Sequence, residues 1–229
     1  PVQAAVDSME HYQLLVGTRE ARNDIVPYIA ARDGKTVMFM RTKHGVDRQV
    51  KKLRRVGINA FPLHGDKGQG ARTRAIEGFA DGSIPVLVAT DIAARGIDIS
   101  DVSLVVHIDP PAEHKAYLHR AGRTARAGTS GTVVTLVMDD QRKEFDQLLR
   151  KAGVNATKVQ VSAGDTKLAK ITGARKPTGN PLPPPGQKAK AGQSSSPNHR
   201  SARGNKRRRG GNQSNRSGAR RQKRSSGRN

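Results

Sequence analysis

VLVATDIAARGIDISDVSLVVHIDPPAEHKAYLHRAGRTAR, residues 86–126, carries a buried-strand pattern, an acidic turn and a three-arginine cluster in succession. Val86 to Ala89 is a short apolar run rich in β-branched residues, as in a strand buried on both faces of a parallel sheet. It stops at Thr90-Asp91. Ligands of open parallel sheets gather outside the carboxyl ends of the strands, so Thr90, Asp91, Arg95, Gly96 and Asp98 stand where binding chemistry is expected. A second run, Leu104 to Ile108, ends likewise at Asp109-Pro110-Pro111. A helix from Ala112 to about Leu118 then delivers Arg120, Arg123 and Arg126 at three-residue spacing. Three guanidiniums on one face build no core but suit phosphate, whose oxygens match the paired N–H donors of each fork.

The same alternation extends upstream. His11 to Val16 is expected to be a strand, and Thr18 to cap the next helix with Glu20 in its first turn. Gly34-Lys35-Thr36 looks like part of a phosphate loop, but the glycine that such a loop needs five residues earlier is Ile29. A turn leading into a strand from Thr36 to Met40 is the better reading. The helix from about Gly45 to Arg55 sets Val46, Val50 and Leu53 against a basic face of Arg48, Lys51, Lys52, Arg54 and Arg55, and Gly57 ends it. Ala60 to Leu63 is another strand, closing on His64-Gly65-Asp66. There Gly65, Gly68 and Gly70 let backbone N–H groups approach a ligand. A helix from about Gln69 to Ala80 puts Arg72 in its first turn, where helix dipole and guanidinium both attract phosphate.

Downstream, Gly131 to Met138 reads as a further parallel strand. Asp139 or Asp140 is expected to cap a closing helix with Phe145, Leu148 and Leu149 on one face, Gly153 to stop it, and Val159 and Val161 to form an edge strand. Strands and helices alternate throughout, which predicts a doubly wound parallel α/β sheet flanked by helices.

Charge divides the chain. Residues 1–165 hold 24 Lys+Arg and all 19 Asp+Glu, whereas residues 166–229 hold 18 Lys+Arg and no acid. The expectation is a folded domain over 1–165 and a disordered Lys/Arg/Gly/Ser-rich tail over 166–229, too poor in apolar residues to offset its ordering entropy. Cysteine is absent, which excludes disulfides and thiol chemistry. No histidines or acids show ligand spacing, so no metal site is expected. The apolar runs are far too short for a membrane span and no signal peptide precedes them, so the expected localisation is cytoplasmic. An opening Pro1 rather than Met fits a piece of something longer.

The ordered motifs resemble one family. Residues 90–98, TDIAARGID, resemble motif V of the DEAD-box RNA helicases, and residues 119–126, HRAGRTAR, resemble their motif VI. His64-Gly65-Asp66 with Gln69 and Arg72 resembles the family's HGD and QxxR elements, and Val37 to Thr42 its motif IV. All four stand in the family's order over about residues 2–161. Ala125 stands where the family usually has Gly.

The resemblance implies a RecA-like domain, the second of two that close around ATP with Mg²⁺ and RNA. Neither the P-loop nor the DEAD sequence of the first domain occurs in this chain. By resemblance, Arg123 and Arg126 are arginine fingers, and Gly96 and Asp98 join them in binding ATP, with Asp98 accepting from a ribose hydroxyl. Arg41, Gly65, Arg72, Thr90 and Arg95 bind RNA, while His119, Arg120 and Asp91 are structural within the motifs. Mg²⁺ belongs mainly to the missing N-terminal RecA-like domain, and the chain alone is expected to be inactive. Ribonucleoprotein partners are expected through the tail. The sequence leaves two other readings open: a non-catalytic RNA-binding or RNA-chaperone module driven by the tail, and a DNA-directed motor or repair helicase of the same superfamily.

Overall fold

The run at Val86–Ala89 is strand β4, all four residues buried, and a parallel sheet extends from it on both sides. The protein was analysed as a computed structural model that describes residues 8–95, 102–125 and 131–187. The other strands are β1 (Met9–Gly17), β2 (Lys35–Phe39), β3 (Ala60–Leu63), β5 (Val102–His107), β6 (Gly131–Met138) and β7 (Thr157–Gln160). Their order is β3-β4-β2-β5-β6-β1-β7, and every neighbouring pair is parallel. The helices are α1 (Arg19–Ala30), α2 (Lys43–Arg55), α3 (Gln69–Ala80), α4 (Asp91–Ala94), α5 (His114–Ala121), α6 (Arg142–Ala152) and α7 (Thr166–Thr172).

Alternation along each strand feeds two cores. Val37, Phe39, Leu87, Ala89, Val105 and Val133 face one side, where Phe79 of α3, Tyr117 of α5 and Phe145 of α6 cover them. Met38, Val86, Val88, Leu104 and Val106 face the other, packed with Ile25 and Ile29 of α1, Leu53 of α2 and Leu168 of α7. Burial on both faces is what removes polar positions from β4.

Several boundaries differ from expectation for local reasons. Thr42, not Gly45, opens α2, because its Oγ1 accepts from Gly45 N at 3.0 Å. Pro110 and Pro111 delay α5 to His114, so Arg120 lies inside the helix. Asp139 and Asp140 do not cap α6: they form a 3₁₀ turn with Gln141, and Asp139 instead pairs with Arg142 at 2.6 Å. Gly153 ends α6 in the left-handed region, φ 67°.

The larger correction concerns the expected boundary at residue 165. Residues 166–187 are part of the folded unit. Asp165 caps α7 through Lys167 N at 2.6 Å, and Leu168 is fully buried. Beyond α7 a proline-rich strap crosses α2 and the β3 edge. Arg175 pairs with Asp33 at 2.7 Å, Gly179 N donates to Val56 O at 2.9 Å and Leu182 N to Arg54 O at 2.8 Å. Arg54, expected on the solvated basic face of α2, is buried. It donates to Pro183 O, Asn59 Oδ1 and Ala60 O and stacks over Phe61, 5.3 Å from its centroid. The strap lacks a core of its own and is held by main-chain hydrogen bonds, which composition does not reveal.

Candidate functional site

At the carboxyl ends of β2, β4 and β5 the chain turns through Arg41, Thr90-Asp91 and Asp109. Arg120 ties these turns together. Its guanidinium meets Asp91 as a fork, Nε to Oδ1 at 2.5 Å and Nη2 to Oδ2 at 2.8 Å, and Nη1 donates to Asp109 O at 2.8 Å. The guanidinium lies 5.2 Å from the Phe39 centroid, and Arg120 is 2 % exposed. All the strong donor geometry of this arginine is therefore spent inside the protein.

Asp109 is a second hub, absent from the sequence-derived site. Its Oδ1 accepts from Arg22 at 3.1 Å and its Oδ2 from Arg41 N at 2.9 Å. Arg41 Nη2 donates to Pro110 O at 3.3 Å. The signal was available: Asp109 follows an apolar run as Asp91 does.

Beside this clamp Asp91, Arg95, His119, Arg120 and Arg123 line one cleft. Arg95 is exposed, and Arg123 Nε donates to His119 O at 3.4 Å. Thr90 N donates to Leu63 O at 3.2 Å, joining the β4 and β3 ends. Thr124 Oγ1 donates to Val102 O, and Ala125 stands at φ 52°. That conformation costs an alanine more than a glycine, which gives a physical reason for the glycine that the resemblance leads one to expect there. Gly96, Asp98 and Arg126 lie outside the described residues.

The β3–α3 loop forms a separate part of the surface. His64 is 4 % exposed; its Nδ1 accepts from Asp66 N at 3.3 Å and its Nε2 stands 3.0 Å from Asp47 Oδ1. Lys67 reaches the same Asp47 oxygen at 3.0 Å, and Lys43 pairs with Asp66 at 2.6 Å. Burial alone would raise the Asp47 carboxyl, but its bonds to His64 and Lys67 hold it below the ordinary value. A Cβ on Gly65 would meet nothing within 4 Å, so packing within the domain does not require glycine there. Arg72 follows in the first turn of α3, half-buried, with no ion-pair partner among the described residues. Asp47 was not singled out from sequence: its i,i+4 spacing from Lys43 on α2 suggests a pair within the helix, but Lys43 pairs with Asp66 and Asp47 with His64 and Lys67 of the next loop.

Under α5 a buried polar row connects the sheet to the arginine helix. His11 Nδ1 and Tyr117 OH are 2.7 Å apart, the Tyr117 ring meets His107 edge-on at 5.0 Å, and His107 Nδ1 lies 2.9 Å from Thr135 Oγ1. Burial, then the charges of Arg120 and His11, push the His107 pKa well below its ordinary value. Burial also pushes the Tyr117 hydroxyl up. Both groups are thus held neutral at physiological pH.

The motifs and this arrangement coincide with known proteins. Residues 20–128 match the helicase conserved C-terminal domain. The chain is 34% identical to the E. coli DEAD-box protein SrmB in its complex with regulator of ribonuclease activity A, covering 74% of this chain and 97% of that one with a TM-score of 0.61. The chain belongs to the DEAD-box helicase family. Its folded part is a RecA-like C-terminal domain. S. cerevisiae Dbp5 bound to RNA and ADP BeF3 aligns at a TM-score of 0.65 and 28% identity, over 73% of this chain and 46% of that one. The ATP-dependent rRNA helicase RRP3 of Yarrowia lipolytica is 40% identical over 145 residues, which are 60% of this chain and 30% of that protein. This DEAD-box chain therefore spans under a third of such a relative.

Proposed function

We propose that the chain is the second half of an ATP-dependent RNA helicase, supplying arginine fingers and half of the RNA surface to a motor completed by a P-loop domain. The observation that carries this reading is the division of labour in the arginine cluster. Arg120 is consumed by Asp91 and Asp109, and this clamp fixes the turn from which Arg123 reaches the cleft shared with Arg95. Arg123 and, three residues on in the sequence, Arg126 act on the γ-phosphate, where they stabilise charge developing in the transition state. Gly96 and Asp98 contribute to the nucleotide side. Arg95, expected at RNA, lines the same cleft as Arg123, so it joins the two ligands' surfaces.

RNA runs over the strand ends through Arg41, Thr90, Gly65 and Arg72. Contacts of that kind grip phosphate and sugar and carry little sequence information. The open space at Gly65 supports close approach of an RNA backbone to the loop that Asp47 and His64 hold. The cleft's Arg95 and Arg123 suit phosphate, and Asp91 is spent on Arg120. Mg²⁺ is assigned to the partner domain, as the family resemblance implies. The basic tail adds a salt-sensitive RNA anchor, and through it ribonucleoprotein partners.

The test is ATP turnover by the purified 229-residue chain with saturating RNA. None is expected, because the chain has no P-loop lysine. RNA-stimulated hydrolysis by this chain alone would refute the half-motor reading.

A further inference from the structure

A cavity of about 430 Å³ opens at the mouths of β1, β2 and β6, and Arg19, Arg22, Arg41 and Arg48 line it with a single carboxylate, Asp109. That carboxylate is committed, one oxygen to Arg22 at 3.1 Å and the other to Arg41 N at 2.9 Å. Arg41 is steadied through Pro110 O, a neutral acceptor that leaves its charge uncompensated. Arg19 and Arg48 are exposed and have no carboxylate partner among the described residues. Two helices also begin here. Thr18 caps the 12-residue α1 and Thr42 the 13-residue α2, so their positive dipole ends add to the same field. Glu20, in the first turn of α1, does not line the cavity.

Four guanidiniums against one spent carboxylate make a concave site with a net positive field, a disposition that repels itself until an anion enters. Guanidinium forks match phosphate oxygens in pairs. No aromatic ring lines the cavity, so it offers a base nothing to stack on and suits a sugar–phosphate backbone.

We propose that this cavity is a further RNA-phosphate site, in which Arg19 and Arg48 extend the strand-end track beyond Arg41 and hold the flank of the bound strand. The proposal rests on the reading that RNA crosses the strand ends, since Arg41 is the residue common to both surfaces.

The test measures binding of dodecauridylate to the full 229-residue chain across a salt series, for wild type, R19Q/R48Q, R150Q/K151Q and Arg72→Ala. Each phosphate contact to single-stranded RNA contributes about 0.7 to the salt slope, so R19Q/R48Q should flatten the slope by about 1.4 and weaken binding. R150Q/K151Q, which removes equal charge from the end of α6, should change it by less than about 0.5. Equal flattening by both pairs would reduce the effect to net charge and overturn the proposal. No flattening by R19Q/R48Q would also overturn it: if Arg72→Ala still weakened binding, the RNA surface itself would stand, and if it did not, that surface would fall too. The amide resonance of Gly45 reports the occupant directly. It should shift with dodecauridylate; a shift with sodium triphosphate alone would overturn RNA as the ligand. Both pairs lie on exposed positions, and unchanged urea midpoints should show that the variants are folded.

Discussion

Replacing Arg120 by Ala separates a structural arginine from a phosphate-binding one. The substitution leaves the Asp91 carboxylate facing a buried space, removes the donor to Asp109 O, and strips the guanidinium from Phe39. Breaking a buried ion pair by removing one partner costs about 3–5 kcal/mol. The Asp91 side chain is 32% exposed, so water recovers part of its solvation and the lower end, about 3 kcal/mol, is expected. Arg123, half-buried and outside this clamp, should cost less than Arg120 when changed to Ala. The assay is urea unfolding of the 229-residue chain, completed as a cycle with Asp91→Ala and the double variant. A coupling of about 1–3 kcal/mol between residues 91 and 120 is expected for partners in direct contact. Additive single effects, or equal losses for Arg120→Ala and Arg123→Ala, would refute the assignment of Arg120 to the scaffold.

Three further outcomes follow from the core, the tail and the strap. His107 is neutral when folded, with its pKa well below 6.5; the unfolded chain therefore binds the extra proton first, and stability present above pH 6.5 is lost as pH falls toward the folded value, by up to about 1.4 kcal/mol per pH unit. Urea midpoints from pH 7 to 5 should show that slope and His107→Gln should reduce it; an unchanged slope would contradict it. Of the 18 Lys+Arg after residue 165, four precede residue 188, leaving 14 in the final segment. If a third of these meet phosphate, about five, cutting after Gln187 should flatten the RNA salt slope by about 3.5 without changing unfolding, and equal slopes would make the segment a spacer. A cut after Ile171 should instead destabilise the domain, because it removes Thr172 and the Gly173 cap from the end of α7 and the strap's bonds to α2.

The sheet was legible because β2, β4 and β5 are buried on both faces, which leaves unbroken apolar runs between turn residues. Gly57 and Gly153 were legible as stops because the left-handed conformation selects glycine. The arginine cluster was legible as a phosphate feature, since no core tolerates it. What sequence could not supply was allocation among similar residues. Arg120 and Arg123 are chemically alike; the family resemblance alone set Arg120 apart as structural, and its bonds to Asp91 and Asp109 are the physical reason that residue chemistry could not supply. Arg54 looks like its solvated neighbours on α2 until Pro183 and Phe61 are seen to enclose it. The strap was missed because residues 178–187 are polar and proline-rich, and their order comes from bonds made to distant backbone rather than from a pattern of their own.

The most direct test of the half-motor account is ATP hydrolysis by a parent protein in which this domain follows its P-loop domain, compared with Arg123→Ala in that parent. Loss of an arginine finger removes roughly three to five powers of ten in turnover, so RNA-stimulated hydrolysis should disappear while ATP binding, measured separately, stays largely unchanged. Wild-type turnover by the Arg123→Ala protein would contradict the account.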